Sequence, residues 1–388
     1  MSLSLVSRES LTTALRAALK RSPVVAMLGP RQCGKTTLAR QVAEASDADF
    51  IDLESPAGRR RLEHPMAALE PLRGLAVIDE AQLQPELFPV LRVLADRPRT
   101  PARFLLLGSA SPDLVKGVSE SLAGRVAFVD MSGFDLNEVG ETEQRRLWLR
   151  GGFPRSFLAE NDAASFAWRE DFVRTFLERD IRMFGVNVPP DTLRRLWTMV
   201  AHYHGQIWNS SEVGRSLGEA HTTIKRHLDI LSGAMMVRQL PPWFENLGKR
   251  QVKSPKVYVR DSGLLHALSG LPTQRAVEEN PRLGASWEGF VVEEAVRLAG
   301  ERNAYFWGTQ AGAELDLLLL LGGKRYGVEV KYGDAPGMTK SMHTALADLK
   351  LERLWVVYPG RESFPLEKRV NLVSLGELRK ALVGVLKS

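Results

Sequence analysis

The chain has 388 residues, more than one ordinary hydrophobic core organises, so two or three domains are expected. Hydrophobic residues at 44% and charged residues at 25% are ordinary for a soluble globular protein. The single cysteine, Cys33, excludes an internal disulfide framework and a multi-cysteine zinc site, and a net charge of +6 is compatible with a nucleic acid partner without demonstrating one.

No apolar run is long enough to span a bilayer, and Arg8, Glu9 and Arg16 interrupt the N-terminal stretch where a signal peptide would need apolar residues. A cytoplasmic location with no membrane partner is therefore expected. Residues 1–21 read as an amphipathic helix leading into a strand. Val24 to Leu28 then form an apolar run of strand length. The next eight residues, Gly29, Pro30, Arg31, Gln32, Cys33, Gly34, Lys35 and Thr36, match G-x-x-x-x-G-K-[ST], and Thr37, Leu38 and Ala39 begin a helical pattern. The chemistry needs that order. Glycines let backbone N–H groups close around phosphate oxygens, and the helix N-terminus adds its dipole. Lys35 would reach the β- and γ-phosphates of ATP, and Thr36 would hold Mg²⁺ through its hydroxyl. Cys33 reads as a small filler, because no histidine–acid pair accompanies it.

DFIDLE (49–54) supplies a further strand. GLAVIDEAQ then carries Asp79 and Glu80 to a strand's C-terminal edge, where ligands bind in open α/β sheets. Asp79 would complete the Mg²⁺ shell through water, and Glu80 would polarise the attacking water. ARFLLLGSAS ends in Ser109, which would touch the γ-phosphate or its water, or simply end a strand. Arg125, after SLAG, stands where an oligomeric ATPase can carry an arginine finger for its neighbour's γ-phosphate; the alternative is a surface arginine.

GGFPR (151–155) breaks the chain. Residues 160–200 read as helices, with Phe166, Trp168, Phe172, Phe176 and Leu177 near helical spacing as packing residues. Arg155 and Arg179 are both candidates for a lid arginine. The next stretch has a helix–turn–helix rhythm. Ser210 or Ser211 caps a short helix, Val213 to Leu217, and Gly218 closes it. A second helix, His221 to Leu231, turns Ile224, Leu228 and Leu231 inward and leaves Thr222, Thr223, Lys225 and Arg226 away from that face. That is a recognition helix's composition. Residues 245–261 then resemble a hairpin wing whose Lys249, Arg250, Lys253 and Lys256 would track DNA phosphates; packing or protein contact is the other use of such a unit. His202, His204, His221 and His227 lack a compact ligand motif and are expected to be hydrogen-bonded or exposed.

ELDLLLLLGGKRYGVEVKYG reads as two strands around Gly322-Gly323. A two-residue loop pairs Leu321 with Lys324 and sets Asp316 opposite Glu329 and Glu314 opposite Lys331, all on one face. Opposed carboxylates repel, so Lys331 or a bound cation must offset them. Upstream, WEGFVVEEAVRLAG reads as an amphipathic helix whose Glu288 would add a third acid. AYFWGTQ reads as a strand, TALADLK as a helix and ERLWVVYPG as another strand. Helix, three strands, helix, strand is the core order of PD-(D/E)XK nucleases, with Asp316, Glu329 and Lys331 as the triad. There Mg²⁺ or Mn²⁺, held by Glu288, Asp316 and Glu329, would activate a water, and Lys331 would orient it or stabilise charge. Leu315 stands where that pattern has proline.

The segments GPRQCGKTTLAR, AVIDEAQ, LLLGSAS and SLAGR, with LERDI, SPKVYVRDSGLL and ASWEGFVVEE later, resemble a prokaryotic group of AAA+-type P-loop ATPases that carry a C-terminal domain of unknown function. The likeness covers nearly the whole chain. The expected fold is α/β: an AAA+-type ATPase domain over 1–150, a helical lid or linker over 151–200, a winged-helix-like segment over 201–272 and a PD-(D/E)XK nuclease-like domain over 273–388. The expected function is an Mg²⁺-dependent ATPase coupled to DNA binding and metal-dependent DNA cleavage, in a homo-oligomer such as a hexameric ring. The alternative is an ATP-switched DNA-binding or protein-docking regulator whose nuclease-like domain is inactive.

Overall fold

A computed structural model describes residues 6–44, 48–98, 102–109, 112–181, 188–245, 251–334 and 336–387. Helix α1 (Glu9–Arg21) leads into β1 (Val24–Gly29), and α2 (Lys35–Ala43) follows one loop later. Then come β2 (Ala48–Asp52), β3 (Gly74–Asp79), α3 (Leu87–Ala95), β4 (Ala102–Ser109), α4 (Pro112–Ser121) and β5 (Val126–Asp130). The five strands form one parallel sheet in the order β2-β3-β4-β1-β5. Both faces are covered, which explains the near-continuous apolar strands. Val24, Ala26 and Leu28 of β1 pack with Leu87, Phe88 and Leu91 of α3. Val25 and Met27 face the other way, against Leu15 and Ala18 of α1 and Leu38 of α2. DFIDLE precedes Asp79 in sequence, yet β2 lies outside β3; the strand between β1 and β3 in space is β4.

The middle of the chain holds α5 (Asp162–Thr175), a π-helical turn (Phe176–Asp180), α6 (Pro190–His202), β6 (Gln206–Ile207), α7 (Ser210–Leu217), α8 (His221–Gly233), β7 (Val237–Leu240), β8 (Lys256–Val259) and α9 (Ser262–Leu268). Phe172, Phe176 and Leu177 belong to its core, with Trp197, Ile224, Leu228 and Leu231. Helix α7 starts three residues before the expected Val213, because its cap is Asn209 and not Ser210 or Ser211. The Asn209 Oδ1 accepts from the N–H groups of Ser211 and Glu212 at 3.1 and 3.2 Å. Strands β6, β8 and β7 make a small antiparallel sheet. Of the expected wing residues, Lys249 and Arg250 lie outside the described residues. Lys253 is exposed, and Lys256 is buried.

The C-terminal part runs α10 (Leu283–Ala299), β9 (Ala304–Gly308), β10 (Glu314–Leu321), β11 (Lys324–Val330), α11 (Lys340–Asp348), β12 (Arg353–Val357), β13 (Phe364–Glu367), β14 (Val370–Val373) and α12 (Leu375–Lys387). Its mixed sheet has the order β13-β14-β12-β11-β10-β9. The β10–β11 register is the expected one, from Leu321↔Lys324 to Leu317↔Val328. Gly322 and Gly323 take φ of 55° and 74°, the left-handed pair that a tight two-residue turn requires. Against β9, strand β10 slips register between Leu315 and Leu318, so Asp316 sits in a bulge. One face of the sheet packs on α11. The other packs on α10 and α12, and its core also takes in Phe134, Leu147, Trp148, Phe157 and Tyr258 from earlier in the chain. Strands β13 and β14 and helix α12 had no counterpart in the sequence reading. No helix among the described residues is long and apolar enough to cross a membrane.

Between β5 and the middle helices the backbone crosses itself closely. Phe134 N–H donates to Gly152 O at 2.6 Å, and a Cβ on Gly152 would lie 2.3 Å from Phe134 O. Gly152→Ala is expected to cost about 1–3 kcal/mol through backbone displacement, read as a lowered melting temperature. Gly284→Ala, where a Cβ would meet nothing within 4 Å, is expected to be neutral or stabilising.

Candidate functional site

The parallel sheet delivers three strand ends to one edge. Gly29 of β1 pairs with Ser109 of β4, and β3 ends beside them in Asp79. The loop from Gly29 turns into α2 through Gln32 and Gly34, at φ of 62° and 100°. Gly29 has no room for a side chain, since a Cβ would lie 2.1 Å from Met131 O. Lys35 is buried beneath the loop and donates to the carbonyls of Gly29 and Pro30 at 2.9 and 2.8 Å. Thr36 Oγ1 donates to Asp79 Oδ2 at 2.7 Å, and the other Asp79 oxygen accepts from Glu80 N–H at 3.0 Å. The buried Ser109 hydroxyl has no hydrogen-bond partner among the described residues. Cys33 is fully buried against Met131 O, and Thr37 lies in the first turn of α2.

Glu80 takes φ of 56°, in the left-handed region that a residue this size seldom adopts, so its side chain leaves the line of β3. Gln82 Nε2 donates to it, and Arg31 approaches to 3.6 Å. Arg31 is also bonded to Asp180 Oδ1 at 2.9 Å and to Glu54 Oε1 at 2.5 Å. One guanidinium of the loop therefore joins β3, the segment after β2 and the π-helical turn of the middle. Burial raises the carboxyl pKa of Asp79, opposed by the bond from Thr36. It also raises those of Glu80 and Asp180, opposed in both by Arg31.

The sequence offered the Ser109 hydroxyl, a lysine, a threonine and an acid as the pieces of a nucleotide and Mg²⁺ site, and all four lie at this edge. The donor set suits a hard cation and polyphosphate: hydroxyl and carboxylate oxygens already face each other, and Ser109 Oγ awaits a partner. Arg125 is elsewhere. It lies before Val126, which pairs with Val24 at the opposite end of β1 from the loop, and it grips Asp96 through two bonds of 2.6 and 2.8 Å. Arg179 reaches Glu54 at 3.2 Å.

A second polar cluster lies where β8, α10, β10 and β11 meet. Lys256 is 2% exposed and its Nζ lies 3.1 Å from Glu288 Oε1 and 3.3 Å from Asp316 Oδ1, with Glu314 as a third partner. Tyr258, two residues along the same strand, donates to Glu288 Oε1 at 2.7 Å. Asp316 Oδ2 accepts from Val330 N–H at 2.9 Å, and Lys331 pairs with Glu329 Oε1 at 2.7 Å. The buried Glu329 Oε2 has no hydrogen-bond partner among the described residues. Burial acts against the Lys256 ammonium, but Glu288, Tyr258, Asp316 and Glu314 more than offset it and raise its pKa well above the ordinary value. Burial and then Asp316 push Glu288 up to about 7 and Glu329 up to about 8.

This corrects two expectations. Lys256 does not lie on a phosphate-tracking surface; it is inside the acid cluster. The acids named as metal ligands are also engaged otherwise, Glu288 and Asp316 with Lys256, and Glu329 with Lys331. Among the described residues no group of three or more His, Cys, Asp or Glu is arranged to hold a metal ion. A divalent ion does not fit beside an ammonium already bonded to the same oxygens. The sequence reading gave Lys256 a different role and gave Tyr258 and Asp180 none. Lys256 and Tyr258, two residues apart in KVYV, share one face of a strand, but that spacing does not say whether the face meets solvent or later acids. Asp180 carried no signal beyond its place in LERDI. His204 and His266 are buried and held neutral, at about 3 and about 4, by burial first.

A family model described as an AAA domain matches residues 21–140. Two domains of unknown function, DUF8612 and DUF4143, match residues 141–275 and 283–378. The chain is 53% identical over 374 residues to protein Rv2008c of Mycobacterium tuberculosis and to Mb2031c of Mycobacterium bovis, spanning 96% of this chain and 85% of each of those. Among solved structures, the Walker-type ATPase paby2304 of Pyrococcus abyssi superposes with a TM-score of 0.51 at 16% identity. The match spans 69% of this chain and 97% of that one, and is a likeness of fold.

Glu329 generates a pH prediction. Its carboxyl titrates near the ordinary 4.5 in the unfolded chain and near 8 in the folded one. Between those values the folded protein holds a proton that the unfolded chain has released, so this group's contribution to stability is lost as pH rises. Glu329→Gln is expected to raise the melting temperature more at about pH 8.5 than at about pH 5. Parallel pH profiles for variant and wild type would show that Glu329 titrates as an ordinary carboxyl.

Proposed function

The chain belongs to the family of these two mycobacterial proteins, and with an AAA domain matched over residues 21–140 as premise we propose that it is an Mg²⁺-dependent ATP hydrolase whose nucleotide state governs its middle and C-terminal parts. The meeting of Lys35, Thr36, Asp79 and the unpartnered Ser109 hydroxyl at one sheet edge carries this reading. The backbone from Gly29 to Thr37 would cradle the phosphates, with Lys35 released from its two carbonyls to meet them. Thr36 and Asp79 would hold Mg²⁺, which when bound neutralises charge on the phosphates. Glu80 would orient the attacking water once Arg31 lets it go. An arriving triphosphate is the natural competitor for Arg31, so its ion pairs with Glu80 and Asp180 would couple the loop to the π-helical turn. In a homo-oligomer Arg125 would act on a neighbour's nucleotide only after leaving Asp96.

A winged-helix-like use of residues 201–272 in binding DNA is supported by α8, where Thr222, Lys225 and Arg226 lie outward while Ile224, Leu228 and Leu231 are buried. The order α10, β9, β10, β11, α11, β12 supports a nuclease-like reading of residues 273–388. Lys256 among the acids favours the form of that reading without cleavage. The whole is then an ATP-switched DNA-binding regulator.

Lys35→Ala is expected to abolish ATP turnover. Glu80→Gln should keep ATP binding while lowering kcat by roughly a hundredfold or more, as loss of a base or water-orienting group does. Wild-type turnover by Lys35→Ala would exclude hydrolysis at this loop. For DNA, Lys225→Ala and Arg226→Ala are each expected to reduce the slope of log affinity against log salt by about one. Wild-type protein with no salt-sensitive DNA binding would instead leave protein docking as the use of α8.

A further inference from the structure

We propose that Lys256 is the resident cation of the C-terminal carboxylate cluster, holding the place of a divalent metal ion and latching the middle of the chain onto the C-terminal sheet. An ammonium has three N–H donors, and Lys256 faces three carboxylates: Glu288, Glu314 and Asp316. Two donors bond to Glu288 and Asp316 and Glu314 completes the ion-pair set, the compensation that a lysine 2% exposed requires. Oxygens of each acid are already engaged. Glu288 Oε1 accepts from both Lys256 and Tyr258, Asp316 Oδ2 accepts from Val330 N–H, and Glu329 Oε1 is held by Lys331. The buried Glu329 Oε2 has no hydrogen-bond partner among the described residues. A Mg²⁺ or Mn²⁺ ion needs several oxygens at short range, and here it would sit against a positive charge bound to the same oxygens.

The latch crosses the chain's organisation. Lys256 and Tyr258 come from β8, within the stretch matched by the first domain of unknown function; the acids come from α10, β10 and β11, within the second. Phe306 of β9 lies beneath the ammonium, with its ring centroid 5.9 Å from Nζ. The metal-free, latched state and a metal-bound state are mutually exclusive, because both need Glu288 and Asp316.

The test is a Mn²⁺ titration of nucleotide-free full-length protein, reading free Mn²⁺ by electron paramagnetic resonance. Four proteins are compared: wild type, Asp316→Asn, Lys256→Met and the double variant. Binding at the nucleotide loop is common to all four and cancels, and the result is independent of whether the protein hydrolyses ATP. Wild type and Asp316→Asn are expected to superimpose. Lys256→Met should gain one Mn²⁺ per chain, and the double variant should lose it again. A Mn²⁺ equivalent in wild type that disappears in Asp316→Asn would overturn the proposal. So would a folded Lys256→Met that gains none. Should Lys256→Met fail to fold, the comparison of wild type with Asp316→Asn decides alone.

Discussion

Parallel pairing of β3, β4 and β1 is the constraint from which the N-terminal site follows. Parallel strands end at the same edge, so the residues that finish each strand meet there however far apart they are in sequence. Gly29, Asp79 and Ser109 become neighbours for that reason. The helices on both faces keep those strands largely apolar on the way to their C-terminal ends, where the polar chemistry of the site gathers.

Buried charge organises the rest. Lys256 is buried and Arg31 half-buried, and each is paired with three carboxylates. Such a group is tolerated inside a protein only when its donors are satisfied. Each set of partners comes from elements distant in sequence. Arg31 ties the loop to residues 54, 80 and 180, and Lys256 ties β8 to α10 and β10. Losing one partner leaves charge stranded, so these contacts are the points at which a ligand's own charge can act.

Apolar packing connects the parts. Trp148 meets Trp287 edge-on at 5.4 Å and donates to Ser286 Oγ at 3.0 Å. Phe134, Leu147 and Phe157 enter the same core as the strands of the C-terminal sheet. A shift at residues 133–158 is therefore felt on the α10 face of that sheet without any hinge between separate cores.

By itself the sequence determined what local rules govern. Those are the strand, glycine-rich loop and helix around Lys35, the acids ending an apolar run at Asp79, the two-glycine turn with its register, and the inward face of α8. Each rests on a short period or a backbone preference, and neighbours along the chain suffice to express it. Only tertiary structure decided where the charges go. Nothing local distinguishes Lys256 in KVYV from a lysine on a solvent-facing edge; its role depends on Glu288, Glu314 and Asp316 arriving from later elements. The same holds for Asp180, whose partner Arg31 lies in another part of the chain. It holds too for Asp316, which a bulge against β9 sets beside Lys256. Ion pairs are long-range in sequence and short-range in space, so a pattern read along the chain finds the charged groups and leaves their partners to the fold.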